Sequence, residues 1–176
     1  MAATPTTRPV LGSVHVVGPT GGESFWQPVP ANGFVRNILN QATTGGAANF
    51  SIGTQTVAAG CFIREHTHAD NEEIIFVLDG HGIARLDGID HPIEKGSAVY
   101  IGRNRRHHFL AAADRPLTFL WLMMPGGLDR FFAAIGRPRT LTDAAPAPFP
   151  RPENIAEIER HTVFGWTDNS FDPNST

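Results

Sequence analysis

The sequence predicts an all-β barrel that carries a metal site, and three observations predict it. Short segments rich in branched and aromatic residues recur at close, regular spacing over residues 10–124, and glycine turns separate them. Two histidines two apart, His66 and His68, precede two carboxylates, Glu72 and Glu73. In a strand, residues i and i+2 share a face, so both imidazoles would aim into one space. A later stretch, GSAVYIGRNRRHHFL, offers a third strand-borne histidine, His107 or His108. Imidazole with carboxylate is the donor chemistry of a divalent transition metal such as iron, manganese, nickel, cobalt, copper or zinc.

Residues 1–9 are small and polar with two prolines, and are expected to be flexible or strand-exchanging. From Val10, VLGSVHVVG reads as a first strand through Val14, Val16 and Val17, with His15 on the opposite, surface face. Gly18–Gly22 is a turn. SFWQPV and FVRNILN follow as short strands divided by Pro28, Pro30 and Gly33. Residues 42–48 read as a loop and 50–58 as a strand. After the His-x-His segment, EIIFVLDG ends in the turn signal Asp79-Gly80, and HGIARLDG ends in another at Asp87-Gly88. IDHPIE and SAVYI flank Lys95-Gly96, while HHFLAAA and PLTFLWLMM flank Asp114-Arg115-Pro116.

The pattern changes at Pro125-Gly126-Gly127. Leu128, Phe131, Phe132 and Ile135 fall at helical spacing, with Gly136 as the stop. Residues 137–152 hold five prolines and no periodicity, which predicts an extended path over the surface. PENIAEIERH predicts a second short helix, with Pro152 in its first turn and Ile155 and Ile158 on one face. The tail WTDNSFDPNST reads as frayed. The organisation is therefore one barrel, 10–124, followed by a helical and proline-rich extension, 125–176.

Composition excludes several function classes. A net charge of −3 gives no basis for a nucleic-acid or anionic-membrane partner. The basic run Arg103–His108 suits a solvated loop or an anionic substrate. The single cysteine, Cys61, excludes an internal disulfide and a thiolate zinc cluster, and reads as a buried, inert thiol. No apolar run approaches the ~20 residues of a membrane span, and MAATPTTRPV has no signal-like apolar core. A cytoplasmic location is expected.

The two glycine-bounded segments resemble the paired motifs of the cupin family. The first family pattern, G-x5-H-x-H-x3,4-E-x6-G, is met by Gly60, His66, His68, Glu73 and Gly80. This resemblance selects Glu73 over Glu72, because only Glu73 keeps the six-residue spacing to Gly80. The second pattern, G-x5-P-x-G-x2-H-x3-N, is met by Gly96 and His107. Gly102, Asn104 and Ala111 stand in place of the family's proline, glycine and asparagine. Gly102 and Asn104 can still make such turns, and His107 is selected over His108. The PGG segment, the RFFAAIG helix and the proline-rich tail are further similar to the bacterial single-domain quercetinases, cupins that open flavonols with dioxygen.

The resemblance implies a jelly-roll barrel (a double-stranded β-helix) with short C-terminal helices, in which His66, His68, Glu73 and His107 hold the metal. It implies a metal-dependent dioxygenase acting on an enolised aromatic or flavonol-type small molecule, with Glu73 as a ligand, a general base or both. The alternatives are a non-oxidative cupin lyase or isomerase, and a binding cupin without turnover. A homodimer is the family's usual state. Phe109 shares parity with His107 and is expected to line the site. Phe62, Phe76, Tyr100, Phe119 and Trp121 are expected in the core, while His81 and His91 are expected at the surface. Phe131 and Phe132 lie on the helix as a lid of the barrel mouth or as an outer cap.

Overall fold

The computed structural model describes residues 11–165. The expected flexible start, residues 1–9, and the expected frayed tail from 166 onward lie outside the described residues. The chain forms β1 (Glu23–Trp26), β2 (Phe34–Asn40), α1 (Gln41–Thr44), β3 (Ser51–Val57) and β4 (Phe62–His66). Next come β5 (Glu72–Asp79), β6 (His81–Leu86), β7 (Ile89–Glu94), β8 (Ala98–Ile101), β9 (His107–Ala111) and β10 (Leu117–Met124). Then follow α2 (Leu128–Ile135), β11 (Arg137–Pro138) and α3 (Ile155–Arg160).

Period-2 burial explains the strands. In β10, Leu117, Phe119, Trp121 and Met123 are buried and the residues between them are half-exposed, as the pleat requires. Strand β3 alternates in the same way. The strands make two antiparallel sheets, one in the order β11-β1-β2-β3-β10-β5-β8 and one in the order β4-β9-β6-β7. Their inner faces meet in a single core that joins Val35, Ile75 and Trp121 of the first sheet to Ile63, Ala84 and Phe109 of the second. This is the cupin architecture that the resemblance implies.

Asp79-Gly80 is a corner rather than a hairpin. It passes the chain from β5 in the larger sheet to β6 in the smaller. Gly80 has φ +86°, and a Cβ there would lie 2.1 Å from the Pro116 carbonyl oxygen, so the corner requires glycine. Asp87-Gly88 does close a hairpin, between β6 and β7, with φ positive at both residues.

Four expectations need correction. Residues 11–18 form no strand, and Val14 and Val16 are exposed: their alternation finds no partner strand among the described residues. Within the 42–48 loop, Gln41–Thr44 instead make one helical turn, capped reciprocally by Asn40 and Thr43. Phe76 and Tyr100 lie on the outer face of the larger sheet and are exposed rather than core. Cys61 is only half-buried, though it packs against the core. The proline-rich stretch is largely irregular, as expected, and Phe149 pins it by burying its ring under the Arg137 guanidinium.

Candidate metal centre

Each motif residue reaches the same point between the sheets from a different direction. Glu73 comes from β5, paired on its two sides with Met123 of β10 and Ile101 of β8. His66 and His107 come from the facing sheet, where they sit opposite each other at the ends of β4 and β9. Ile63 and His66 are an odd number of residues apart yet both point inward. A register shift between them absorbs the extra residue. His68 departs from the strand-alternation reading: β4 ends at His66, and His68 lies beyond it, after the bridge of Thr67 to Gly165. Thr67 is buried too, because its backbone pairs with Gly165 on what would otherwise be the open side.

One donor atom from each of His66, His68, Glu73 and His107 lies within 4.8 Å of every other, and all four residues are buried. Glu73 Oε2 is 3.5 Å from His68 Nε2 and 3.3 Å from His107 Nε2. The Nδ1 atoms are all committed: His66 donates to Arg64 O (2.9 Å), His107 to Arg105 O (2.9 Å) and His68 to Val163 O (2.6 Å). A carbonyl oxygen only accepts, so each Nδ1 carries the proton and a neutral ring keeps its lone pair on Nε2. The Nε2 atoms of His68 and His107 are buried and hydrogen-bond to nothing among the described residues. Lone pairs converging on a carboxylate in a dry site repel unless a cation lies between them. The residues therefore fit a metal, with the outer carbonyl contacts that orient ligating histidines.

Charge states agree with this. Burial, together with the neighbouring His107 and His68, holds His66 well below the usual histidine value, so it is neutral. With no cation present, burial pushes the Glu73 carboxyl up and hydrogen bonds from His107 and His68 hold it down at about 2, a role for protons on Nε2 that a bound cation would take over.

The residues beside the motif separate cleanly. Glu72 lies on the other side of β5, with its carboxylate against the Tyr100 hydroxyl. His108 points away from the centre and stacks on Phe62, ring centroids 5.3 Å apart. His15, His81, His91 and His161 are exposed. A small cavity of about 50 Å³ adjoins His66 and Glu73, and Phe109, Phe119, Phe131 and Phe132 line it. Helix α2 thus contributes to the wall of the site rather than packing outside it.

Three features of the site were not read from the sequence. Phe164 stacks on the His66 ring. Glu159 is buried between Arg64 and Arg151. The Gln27 amide nitrogen is buried beside the cavity with no partner among the described residues. The apolar run TVFGW within a polar tail was the one available signal, and it pointed at Phe164.

Comparison with known proteins agrees with this geometry. Residues 53–123 match the family model described as Cupin domain. That match covers less than half of the chain, and what it shares with the structure described above is the cupin fold. Among curated proteins, Protein SchB of Streptomyces halstedii is 34% identical over 90 residues, 49% of this chain and 64% of that protein. Polyketide synthase CurC of Streptomyces cyaneus is 28% identical over 93 residues, 53% of this chain and 60% of that one. Acireductone dioxygenase of Bacillus thuringiensis is 36% identical over 62 residues, 32% of this chain and 36% of that one. The matched region thus spans under two thirds of each of these relatives. Among solved structures, the polyketide cyclase RemF of Streptomyces resistomycificus aligns with a TM-score of 0.55 at 22% identity, over 64% of this chain and 80% of that one. At that identity the likeness concerns the cupin fold alone. Of these relatives one is named a polyketide synthase protein and one an acireductone dioxygenase, none a quercetinase, so the resemblance to quercetinases holds only at the level of the cupin fold.

Proposed function

We propose that this cupin is a metal-dependent enzyme that binds an enolisable aromatic small molecule through a hydroxyl or carbonyl oxygen. The observation that carries the reading is the buried convergence of His66, His68, Glu73 and His107, with Nδ1 tied back on every ring. A divalent transition metal bound there supplies Lewis acidity toward the substrate oxygen. The three imidazoles would each offer Nε2 to the metal, and Glu73 would contribute a carboxylate oxygen. Glu73 serves as the charged ligand of the set, or as a general base where its bond to the metal is loose. Phe109, Phe119 and the α2 phenylalanines keep water from the reacting oxygen and suit a flat apolar ring.

The first reading of the chemistry is oxidative cleavage by dioxygen, of the quercetinase type. The second is non-oxidative rearrangement of an enolate, a lyase or isomerase reaction that uses no dioxygen. Oxygen uptake separates them. Protein loaded with iron, manganese, nickel or cobalt is given a flavonol in an oxygen-electrode cell. Uptake that tracks flavonol loss supports the dioxygenase. Substrate loss under nitrogen supports the second reading, and no loss in either atmosphere, with metal bound, rejects both for that substrate class.

A further inference from the structure

The three histidines of the centre are not oriented alike. His66 and His107 each donate to a carbonyl two residues earlier in the chain, but His68 donates to Val163, 95 residues away. The next residue, Phe164, lies in a slot. Its ring is parallel to the His66 imidazole on one face (centroids 3.9 Å, 13°) and to Phe131 on the other (4.3 Å, 2°). Only a planar π ring makes two such contacts at once. With Phe164 in place, about 50 Å³ remains, room for a few waters, whereas pockets for drug-sized ligands run to roughly 300–1,000 Å³. The segment that carries Phe164 is tied at its end, where Gly165 exchanges backbone hydrogen bonds of 2.9 and 3.2 Å with Thr67 and accepts a third from Thr67 Oγ1 (3.0 Å). The α3 helix before it is six residues long, with no side-chain cap at its N-terminus. A helix that short has little stability of its own. The side-chain amide nitrogen of Gln27, beside the cavity and without a partner among the described residues, offers a donor to a ligand oxygen.

We propose that the slot between His66 and Phe131 is the subsite for the aromatic ring of the substrate, a planar phenol or enol, and that Phe164 is an internal occupant which leaves as the ring enters. Withdrawal of Thr162–Gly165 also removes the Val163 carbonyl from His68, so opening the slot and loosening one metal donor are the same motion. The segment is thereby a positioning element of the centre as well as its cover. Affinity for the ring is reduced by the fraction of molecules in which the segment is closed. This rests on the reading above that the site takes an aromatic substrate, but it needs no turnover.

The test uses the zinc-loaded full chain with 2-naphthol as the probe. Hydrogen exchange is followed on peptides covering residues 162–165, and binding by naphthol fluorescence. Saturating 2-naphthol should speed exchange in that segment, the reverse of ordinary ligand protection. Unchanged or slower exchange overturns the proposal. Thr67→Val removes the Oγ1 hydrogen bond to the Gly165 carbonyl, places no constraint on the Phe164 backbone, and should tighten 2-naphthol binding about fivefold, the worth of one such bond. Equal or weaker binding by that variant, with its zinc retained, also overturns it. A failure of oxygen uptake with flavonols leaves these two readouts unaffected, so the two proposals fail separately.

Discussion

At the scale of single residues, the chemistry of the centre depends on which donor faces inward, and neighbours in sequence take opposite parts. Glu73 faces the histidines while Glu72 meets Tyr100 on the outer face; His107 faces inward while His108 stacks on Phe62. His66→Ala or His107→Ala should therefore lose bound metal. The loss should exceed the ~10–100-fold in affinity that removal of an outer hydrogen-bond partner costs a metal site. Elemental analysis of protein purified without added metal measures this, and Glu72→Ala should keep wild-type stoichiometry. Metal loss from Glu72→Ala with retention in Glu73→Ala would reverse the assignment of the carboxylate.

At the scale of elements, α3 docks through charge. Glu159 is buried and accepts from the guanidinium groups of both Arg64, on β4, and Arg151, in the proline-rich stretch. Removing one member of a buried ionic group usually costs about 3–5 kcal/mol, because its partners keep their desolvation cost. In Glu159→Ala most of that should appear as local opening. We expect protease cleavage within residues 151–165 at conditions where the wild type is intact, with the barrel's near-ultraviolet circular dichroism unchanged. Loss of the barrel signal together with the cleavage would mean that α3 is integral to the core. Helix α2 is a different case: Leu128, Phe131, Phe132 and Ile135 are all buried, and it belongs to the core of the barrel.

At the scale of the molecule, two linkages should govern stability. A metal that binds only the folded chain stabilises it by RT ln(1 + [M]/Kd), about 2.7 kcal/mol at a hundredfold excess over Kd. Chelation should accordingly lower the unfolding midpoint, and zinc or cobalt should restore it. The second linkage is pH. His66 stays neutral in the fold because burial lowers its pKa, whereas in the unfolded chain it takes up a proton near the ordinary histidine value. The unfolded state then binds more protons, so stability is full above that value and declines as pH falls through it. The slope reaches about 1.4 kcal/mol per pH unit for one group. Urea unfolding of metal-free protein at pH 7.5 and 5.5 checks the sign. Equal stability at the two values, or greater stability at 5.5, would contradict a neutral buried His66.

Local sequence determined a great deal here. Alternating burial in β3 and β10 and the turn at Gly80 follow from short-range periods, because strand geometry ties residue number to direction, while the choice of Glu73 and His107 beside His66 and His68 came from the cupin motif that the chain resembles. The same reasoning placed a strand over residues 11–17 that does not form, since alternation records an apolar face but cannot supply a partner for it. What closes the site was decided only in three dimensions. Phe164 on His66, Val163 on His68 and Glu159 on Arg64 join parts of the chain more than ninety residues apart, and no local period encodes such contacts. The donors are therefore written in the motif, while the cover over them exists only once the chain has folded back upon itself.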